Sequence, residues 1–151
     1  MAIVLGLNAK LWIAETTSGQ GEGTYNEVTN ARNVNLSLEA AEADVTTRSN
    51  AGWRANIPTL KDASIEFEMM YDTADTRFDE VQEAFLNGTD LWVKVLDGGT
   101  THTGGSGLKA ICRVTSFSIS QGLEEAAVVS VTLKPTYTTD SNKAPSWQDA
   151  A

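Results

Sequence analysis

The sequence offers few residues that could perform nucleophilic, acid–base or metal chemistry. It contains one histidine, His102, and one cysteine, Cys112, in 151 residues. A zinc site needs about four clustered ligands, mostly His and Cys, so a single His and a single Cys exclude a zinc site. A catalytic thiol requires an electropositive, accessible position, whereas Cys112 lies in an apolar run. We therefore expect Cys112 to belong to the core.

Carboxylates are the remaining candidates for catalysis. Glu66 and Glu68 stand two positions apart, so one strand could present both to a glycoside substrate. The same spacing is typical of a solvated strand face, which is the simpler interpretation. Asp97-Gly98-Gly99 begins like a calcium loop, but the acidic positions that calcium requires do not follow. We predict that the protein is not an enzyme and that it holds no cofactor and no metal.

The two glutamates lie in a strand that runs into the only clear helix pattern of the chain. From Ala63 to Tyr71, apolar and polar residues alternate, which indicates a strand with one apolar and one acidic face. After Tyr71 the apolar spacing changes to three and four, as in a helix. Asp75 or Thr76 can supply the N-cap, and Gly88 suits the left-handed position after the helix.

Further strands are predicted elsewhere in the chain. They fall at residues 2–14, 33–38, 91–95, 108–122 and 127–134, where apolar and polar side chains alternate or apolar residues cluster. Within 108–122 the apolar positions change from even to odd numbers, which indicates a bulge or a bend between two sheets.

Residues 40–59 show no sustained period. They either form a long connection or extend the two flanking strands into a long hairpin. Trp53 and the arginines beside it argue against plain disorder and are typical of an interface.

These patterns predict a mainly β (α+β) fold. We expect an antiparallel β-sandwich or barrel of six to seven strands with one flanking α-helix. Residues 1–135 are predicted to form the domain, with residues 136–151 as a C-terminal arm or flexible tail.

The charge distribution is uneven. The net charge is −9, and residues 62–90 alone hold nine acids against one base, Arg77. Nucleic-acid binders hold phosphates with clustered Lys and Arg, and this chain lacks such a basic surface pattern. We do not expect it to bind DNA specifically.

The order of the segments is similar to that of a known family. A KLWIA strand is followed by a glycine-rich loop, by DVTTRSNAGW, by LKDASIEFE, by an acidic helix that ends in AFLNG, and by a VVSVTLKPT strand. Over about residues 8–135 this pattern resembles the major tail tube proteins of long-tailed bacteriophages. The long loop at 15–27, the Lys134-Pro135 ending and the extended tail depart from it.

The resemblance implies a structural virion protein. Six copies would form a ring, and stacked rings would form a hollow tail tube, assembled in the cytoplasm of the bacterial host. Its channel would hold the tape-measure protein and later conduct DNA, terminator and initiator proteins would be further partners, and no membrane would be bound. The 40–59 segment would contact the next ring, and the sheet beside it would line the channel. The predicted inter-ring residues are Asp44, Arg48, Trp53 and Arg54, and the predicted channel-lining residues are Asn35, Ser37, Glu39, Glu66 and Glu68.

Two other functions remain open at this point. The tube protein of a contractile injection or secretion system would have a similar pattern. A carbohydrate-binding β-sandwich module would show several aromatic residues on one face. The sequence does not favour this second alternative, because the four tryptophans occur in different segments, at Trp12, Trp53, Trp92 and Trp147.

Overall fold

The computed structural model describes residues 5–6, 9–138 and 143–149. Within these residues, antiparallel strands dominate and one α-helix, α1, lies between the fifth and sixth strands. The predicted mainly β fold with one flanking helix is therefore confirmed. The strands are β1 (Lys10–Thr17), β2 (Gly21–Glu22), β3 (Asn26–Glu27), β4 (Ala31–Asp44), β5 (Asn56–Met70), β6 (Leu91–Leu96), β7 (Gly107–Ser120), β8 (Val128–Pro135) and β9 (Ser146–Gln148), and the helix is α1 (Thr76–Asn87).

The strands form a single curled sheet. Their order is β2–β1–β6–β7–β8–β5–β4, with β3 beside β1 and β9 beside β7. The curl brings the apolar faces of distant strands together, so that Ile13 of β1 and Val93 of β6 share a core with Ile65 of β5 and Val131 of β8. All four side chains are almost completely buried.

The predicted bulge in β7 is present. Val114 pairs with Leu133 and Ser116 pairs with Thr132, so Thr115 is an extra residue in the ladder. Because an extra residue exchanges the two faces of a strand, β7 turns different side chains toward the core before and after the bulge.

Helix α1 has the predicted ends. The Asp75 side chain accepts a hydrogen bond from the backbone N–H of Arg77 at 3.0 Å, and Gly88 adopts a φ of 65° after the last turn. Phe78 and Phe85 lie beside Phe117 of β7, with ring centres 5.9 and 6.0 Å away. No helix in the described ranges has the length and apolar character needed to cross a membrane.

The stretch at 40–59 is a hairpin extension and not a long loop. β4 continues to Asp44 and β5 begins at Asn56, so only residues 45–55, called the hairpin tip below, connect the two strands. The register shifts between Ala40 and Glu42. This irregularity breaks the alternation, which explains why the sequence shows no period there.

The described part of the C-terminal segment returns to the sheet. Ser146–Gln148 forms β9, in which Trp147 pairs with Leu108 of β7. The segment thus contains an arm that packs on the body. Residues 139–142 and 150–151 lie outside the described residues, as do residue 1 and residues 2–4 and 7–8 of the predicted first strand.

Candidate functional site

All five predicted channel-lining residues lie on one face of the β4–β5 ladder. The alternating residues of β5 from Ala63 to Met69 are buried, so the residues between them point to the opposite face. Directly paired residues of neighbouring strands share a face. The cross-strand pairs on the outward side, called the polar face below, are Asn35 with Glu66, Ser37 with Ser64, Glu39 with Asp62, and Arg32 with Glu68.

The polar face extends over two further strands that the sequence analysis did not include. Thr132 of β8 pairs with Glu66, and Ser130 pairs with Glu68. Ser116 and Ser118 of β7 lie opposite these β8 residues. Their alternation was visible in the sequence, but the β7 serines join this face only because of the bulge at Thr115.

The electrostatics of the polar face are acidic. Along β4, β5 and β8 it carries the acids Glu39, Asp62, Glu66 and Glu68 and the bases Arg32 and Lys134, which gives a net charge of −2 per subunit. Glu68 is partly neutralised, since its carboxylate lies 3.4 Å from Arg32 Nε and accepts a hydrogen bond from Asn33 Nδ2 at 3.1 Å. Small polar side chains, mostly hydroxyls, fill the rest of the face, so it is hydrophilic and anionic.

The polar face is bounded by two strand edges that have no partner among the described residues. On one side, β4 pairs only with β5. On the other side, β7 pairs with β6 only over Gly107–Cys112, so the part after the bulge, Ser116–Ser120, is bonded to β8 alone. Open edges of this length lead a strand to pair with another chain.

The hairpin tip is built by its own hydrogen bonds. The Asp44 carboxylate accepts bonds from the Thr46 hydroxyl at 2.5 Å and from the Thr46 backbone N–H at 2.9 Å. The same two groups hold the pKa of Asp44 below its usual value. Asp44 thus orders the turn that presents the tip residues, and its predicted contact with the next ring stays a prediction.

The three predicted inter-ring residues within the hairpin tip are exposed to solvent. Trp53 is 79% exposed, and Arg48 and Arg54 are also exposed. Trp53 therefore does not cover the core of its own subunit. A large aromatic side chain flanked by two arginines is the composition of an interface hot spot.

A second buried cluster, which the sequence patterns did not predict, lies on the face of β1, β6 and β7 opposite the main core and contains charged side chains. Lys94 is only 4% exposed. Its Nζ donates to His102 O at 3.0 Å, contacts His102 Nδ1 at 3.1 Å and lies 4.4 Å from the centre of the Tyr25 ring. Since an ammonium group only donates, His102 Nδ1 is the acceptor in this contact. Burial lowers the pKa of Lys94, and the nearby charge of Lys109 lowers it further.

The structure does not bring His102 and Cys112 together. Cys112 is completely buried in the core on the other face of the sheet. Burial, together with the charge of Asp90, raises the pKa of its thiol to about 12. The thiol therefore stays protonated at neutral pH and is a poor nucleophile.

Glu22 contacts this second cluster and makes the stability of the fold depend on pH in the acid range. Tyr25 donates a 2.6 Å hydrogen bond to Glu22 Oε1, and Lys109 Nζ lies 2.6 Å from the same oxygen. Partial burial alone would raise the pKa of Glu22, but the bonds from Lys109 and Tyr25 outweigh it and hold the pKa below the usual 4.5. Its interactions thus stabilise the fold above about pH 4.5, and this contribution is lost as the pH falls through the lowered pKa.

We predict that Glu22→Gln weakens the dependence of stability on pH. The wild-type free energy of unfolding should fall between about pH 5 and pH 3, and the variant should lose less over this range because it has no carboxylate to protonate. Urea unfolding at a series of pH values measures the difference. Glu124→Gln, an exposed acid on the β7–β8 turn, is the control and should behave like the wild type. Equal pH slopes for Glu22→Gln and Glu124→Gln would contradict the prediction.

Comparison with known proteins gives one family and several solved structures. The sequence profile of the phage tail tube protein family matches residues 8–136. The fold is similar to the tail of an empty gene transfer agent particle refined with C6 symmetry, with 18% identity, a TM-score of 0.71, and coverage of 99% of this chain and 100% of that one. It is also similar to the SPP1 tail tube, with 13% identity, a TM-score of 0.71, and coverage of 97% and 80%. A chain of the anti-feeding prophage baseplate matches with 6% identity, a TM-score of 0.64, and coverage of 99% and 97%. No curated protein matches the chain in sequence.

Proposed function

Since the chain belongs to the phage tail tube protein family, we propose that six copies close into a ring and that these rings stack into the hollow tube of a virion tail. The sixfold symmetry of the gene transfer agent tail supports this copy number. The protein acts as a structural subunit, is assembled in the cytoplasm of the bacterial host, and carries out no reaction. The family is the one that the sequence resemblance predicted.

The two open edges of the polar face carry the proposal. If β4 of one copy pairs with Ser116–Ser120 of β7 in the next copy, each junction satisfies both edges at once. The two edges are different surfaces, so the contact is head-to-tail, and a head-to-tail contact with the right rotation closes into a ring. A closed ring has no open edge left, which removes the risk of uncontrolled strand addition.

The same junction turns the polar face into a channel wall. The four strands β4, β5, β8 and the second half of β7 would repeat six times around the bore. This arrangement lines the bore with Asn35, Ser37, Glu39, Glu66 and Glu68. A passing DNA duplex would meet like charge and small hydroxyl groups, so its phosphates would find no site of attachment.

The hairpin tip would extend from each ring toward the next one. Arg48, Trp53 and Arg54 supply the contacts, and Asp44 holds the turn in shape. The tape-measure protein would occupy the channel before DNA passes, and terminator and initiator proteins would bind the two ends of the tube.

Engineered disulfides test the strand junction. Two sets of variants, each with one added cysteine, are needed. The first is Ser118→Cys on β7, and the second consists of Asn33→Cys, Asn35→Cys and Ser37→Cys on β4. The native Cys112 is too buried to interfere. Paired strands hold Cα atoms about 4.5–5.5 Å apart, within disulfide range. Mixing and mild oxidation should crosslink Ser118→Cys to at least one β4 variant.

The control for this experiment is Ser130→Cys. Ser130 lies on the same face, but β8 is enclosed by β7 and β5 and has no open edge. It should give no crosslink with any β4 variant. Rings that form without any β4–β7 crosslink, or crosslinks as strong from Ser130→Cys, would refute the junction.

A tube of a contractile injection system is the second candidate. It is favoured by the similarity in fold to the anti-feeding prophage chain, although this likeness concerns the fold alone. Particles labelled with an antibody against this chain distinguish the two functions. A DNA-filled capsid on the labelled tail identifies a phage tube, whereas a contractile sheath without a capsid identifies an injection system.

The carbohydrate-binding alternative has little support. Trp12 and Trp92 are buried, and only Trp53 and Trp147 are strongly exposed among the tryptophans. These two lie on different elements, the hairpin tip and β9, and they do not form an aromatic platform.

A further inference from the structure

Helix α1 carries a stripe of side chains that its own subunit leaves largely uncovered. The stripe consists of Asp79, Gln82 and Leu86, which lie on one side because a helix turns 100° per residue. Leu86 is 69% exposed, and Asp79 is exposed as well. The stripe adjoins Phe85, which stacks on Phe117, so it borders the open edge of β7. The other side of the helix faces β1 and β6 across a pocket.

A groove of about 480 Å³ lies at the opposite open edge, where the start of β4 approaches β1 and β6. Its walls are mainly apolar and include Ala31, Val34 and Val95, and two bases, Lys10 and Arg32, also line it. Their partners are Glu27 at 3.2 Å and Glu68 at 3.4 Å. Arg32 pairs with Glu68 on the polar face, so Lys10 is the base that an incoming acid can contact, because its partly exposed ion pair with Glu27 is weak.

The groove and the helix lie on the same side of the sheet. Val34 and Phe117 both pack against the main core and therefore belong to the face opposite the polar face. When β7 of one copy pairs with β4 of the next, the two strands lie about 4.8 Å apart. The helix that covers Phe117 then arrives beside the groove that begins at Val34.

We propose that this groove receives helix α1 of the adjacent copy in the same ring, with Leu86 inserted between its apolar walls and Asp79 beside Lys10. The proposal rests on the proposed function, because it requires the head-to-tail junction of β4 and β7. A second copy is the occupant for two reasons: the stripe and the groove flank the two edges that this junction joins, and they carry opposite charge. Each subunit contact then consists of a strand pair facing the channel and a helix in a groove outside it.

Leu86→Asp tests the apolar part of this contact. Leu86 is mostly exposed in the subunit, so the variant should still fold, with a melting temperature lowered only slightly by an acid in the last helical turn. Burial of a leucine side chain contributes enough to association that its loss, with a buried acid in its place, should reduce ring formation at least about tenfold. Analytical ultracentrifugation measures the ring fraction. Leu86→Met should assemble like the wild type, and Leu123→Asp, at a fully exposed leucine on the β7–β8 turn, is the matched control.

A charge exchange tests the polar part. Asp79→Lys and Lys10→Glu should each reduce the ring fraction, because each places like charges together. The double variant Asp79→Lys/Lys10→Glu should recover most of that loss, since it restores an opposite pair. Full ring formation by Leu86→Asp, or a double variant no better than the worse single one, would overturn the proposal.

The β4–β7 disulfide separates this inference from the function it rests on. If Ser118→Cys and the β4 cysteine variants crosslink while Leu86→Asp rings remain normal, the helix contact is wrong and the ring of joined sheets stands. If the β4 crosslinks are absent as well, the proposed ring itself has failed.

Discussion

Trp53→Ala should reduce the stacking of rings at least about 30-fold while the subunit remains folded. Truncation of a buried aromatic or arginine anchor at an interface typically costs ~2 kcal/mol or more, which corresponds to that change in affinity. The subunit should be unaffected because Trp53 is 79% exposed and makes no part of the core. The same reasoning predicts a defect for Arg48→Ala. Electron microscopy of purified tubes and a thermal melt of the subunit measure the two effects.

The matched control for the tip is Trp147→Ala. Trp147 is an exposed tryptophan as well, at 59%, but it lies on β9 and not on the hairpin tip. It should leave tube length unchanged. Tubes of normal length from both Trp53→Ala and Arg48→Ala would show that the tip does not connect the rings.

The double substitution Glu66→Lys/Glu68→Lys should slow the passage of DNA while tubes still form. Both side chains point away from the core, and Glu68 loses a weak pair with Arg32, 3.4 Å away, and a hydrogen bond from Asn33. Six copies of the new lysines in every ring would attract phosphates along the whole bore. Charges act over about 8–10 Å at physiological salt, so higher salt should partly restore the passage of DNA.

Two measurements follow the effect of these lysines. The rate of DNA release from purified virions reports passage, and the retention of short fluorescent duplexes by purified tubes reports attachment. Glu124→Lys/Glu125→Lys makes the same change in net charge at exposed positions of the β7–β8 turn and should affect neither. Unchanged release and retention for the Glu66/Glu68 variant would place these residues on the outside of the tube.

Local patterns in the sequence predicted much of the fold. The alternation in β5 separates buried from exposed residues correctly, with Ile65 and Phe67 inside and Glu66 outside. Asp75 and Gly88 mark the ends of α1 because capping depends on neighbouring residues alone. The change of face in β7 was visible for the same reason, since a bulge shifts the pattern of one strand.

The missed features depend on residues far apart in the chain. A register shift between β4 and β5 at Ala40 and Glu42 breaks the alternation, so the hairpin extension remained only one of two alternatives. Lys94 is buried because Tyr25, which is distant in sequence, and His102, in the loop after β6, both pack over it. The two open edges arise from the order of strands in the sheet, which no single segment records.

Electron microscopy of the purified protein tests directly whether six copies close into a ring. We expect sixfold rings, alone or stacked into tubes, whose open channel is lined by β4, β5, β8 and the second half of β7. At a resolution that shows strands, β4 of each copy should lie beside Ser116–Ser120 of its neighbour. A protein that remains monomeric at high concentration, or rings in which β4 and β7 do not meet, would contradict it.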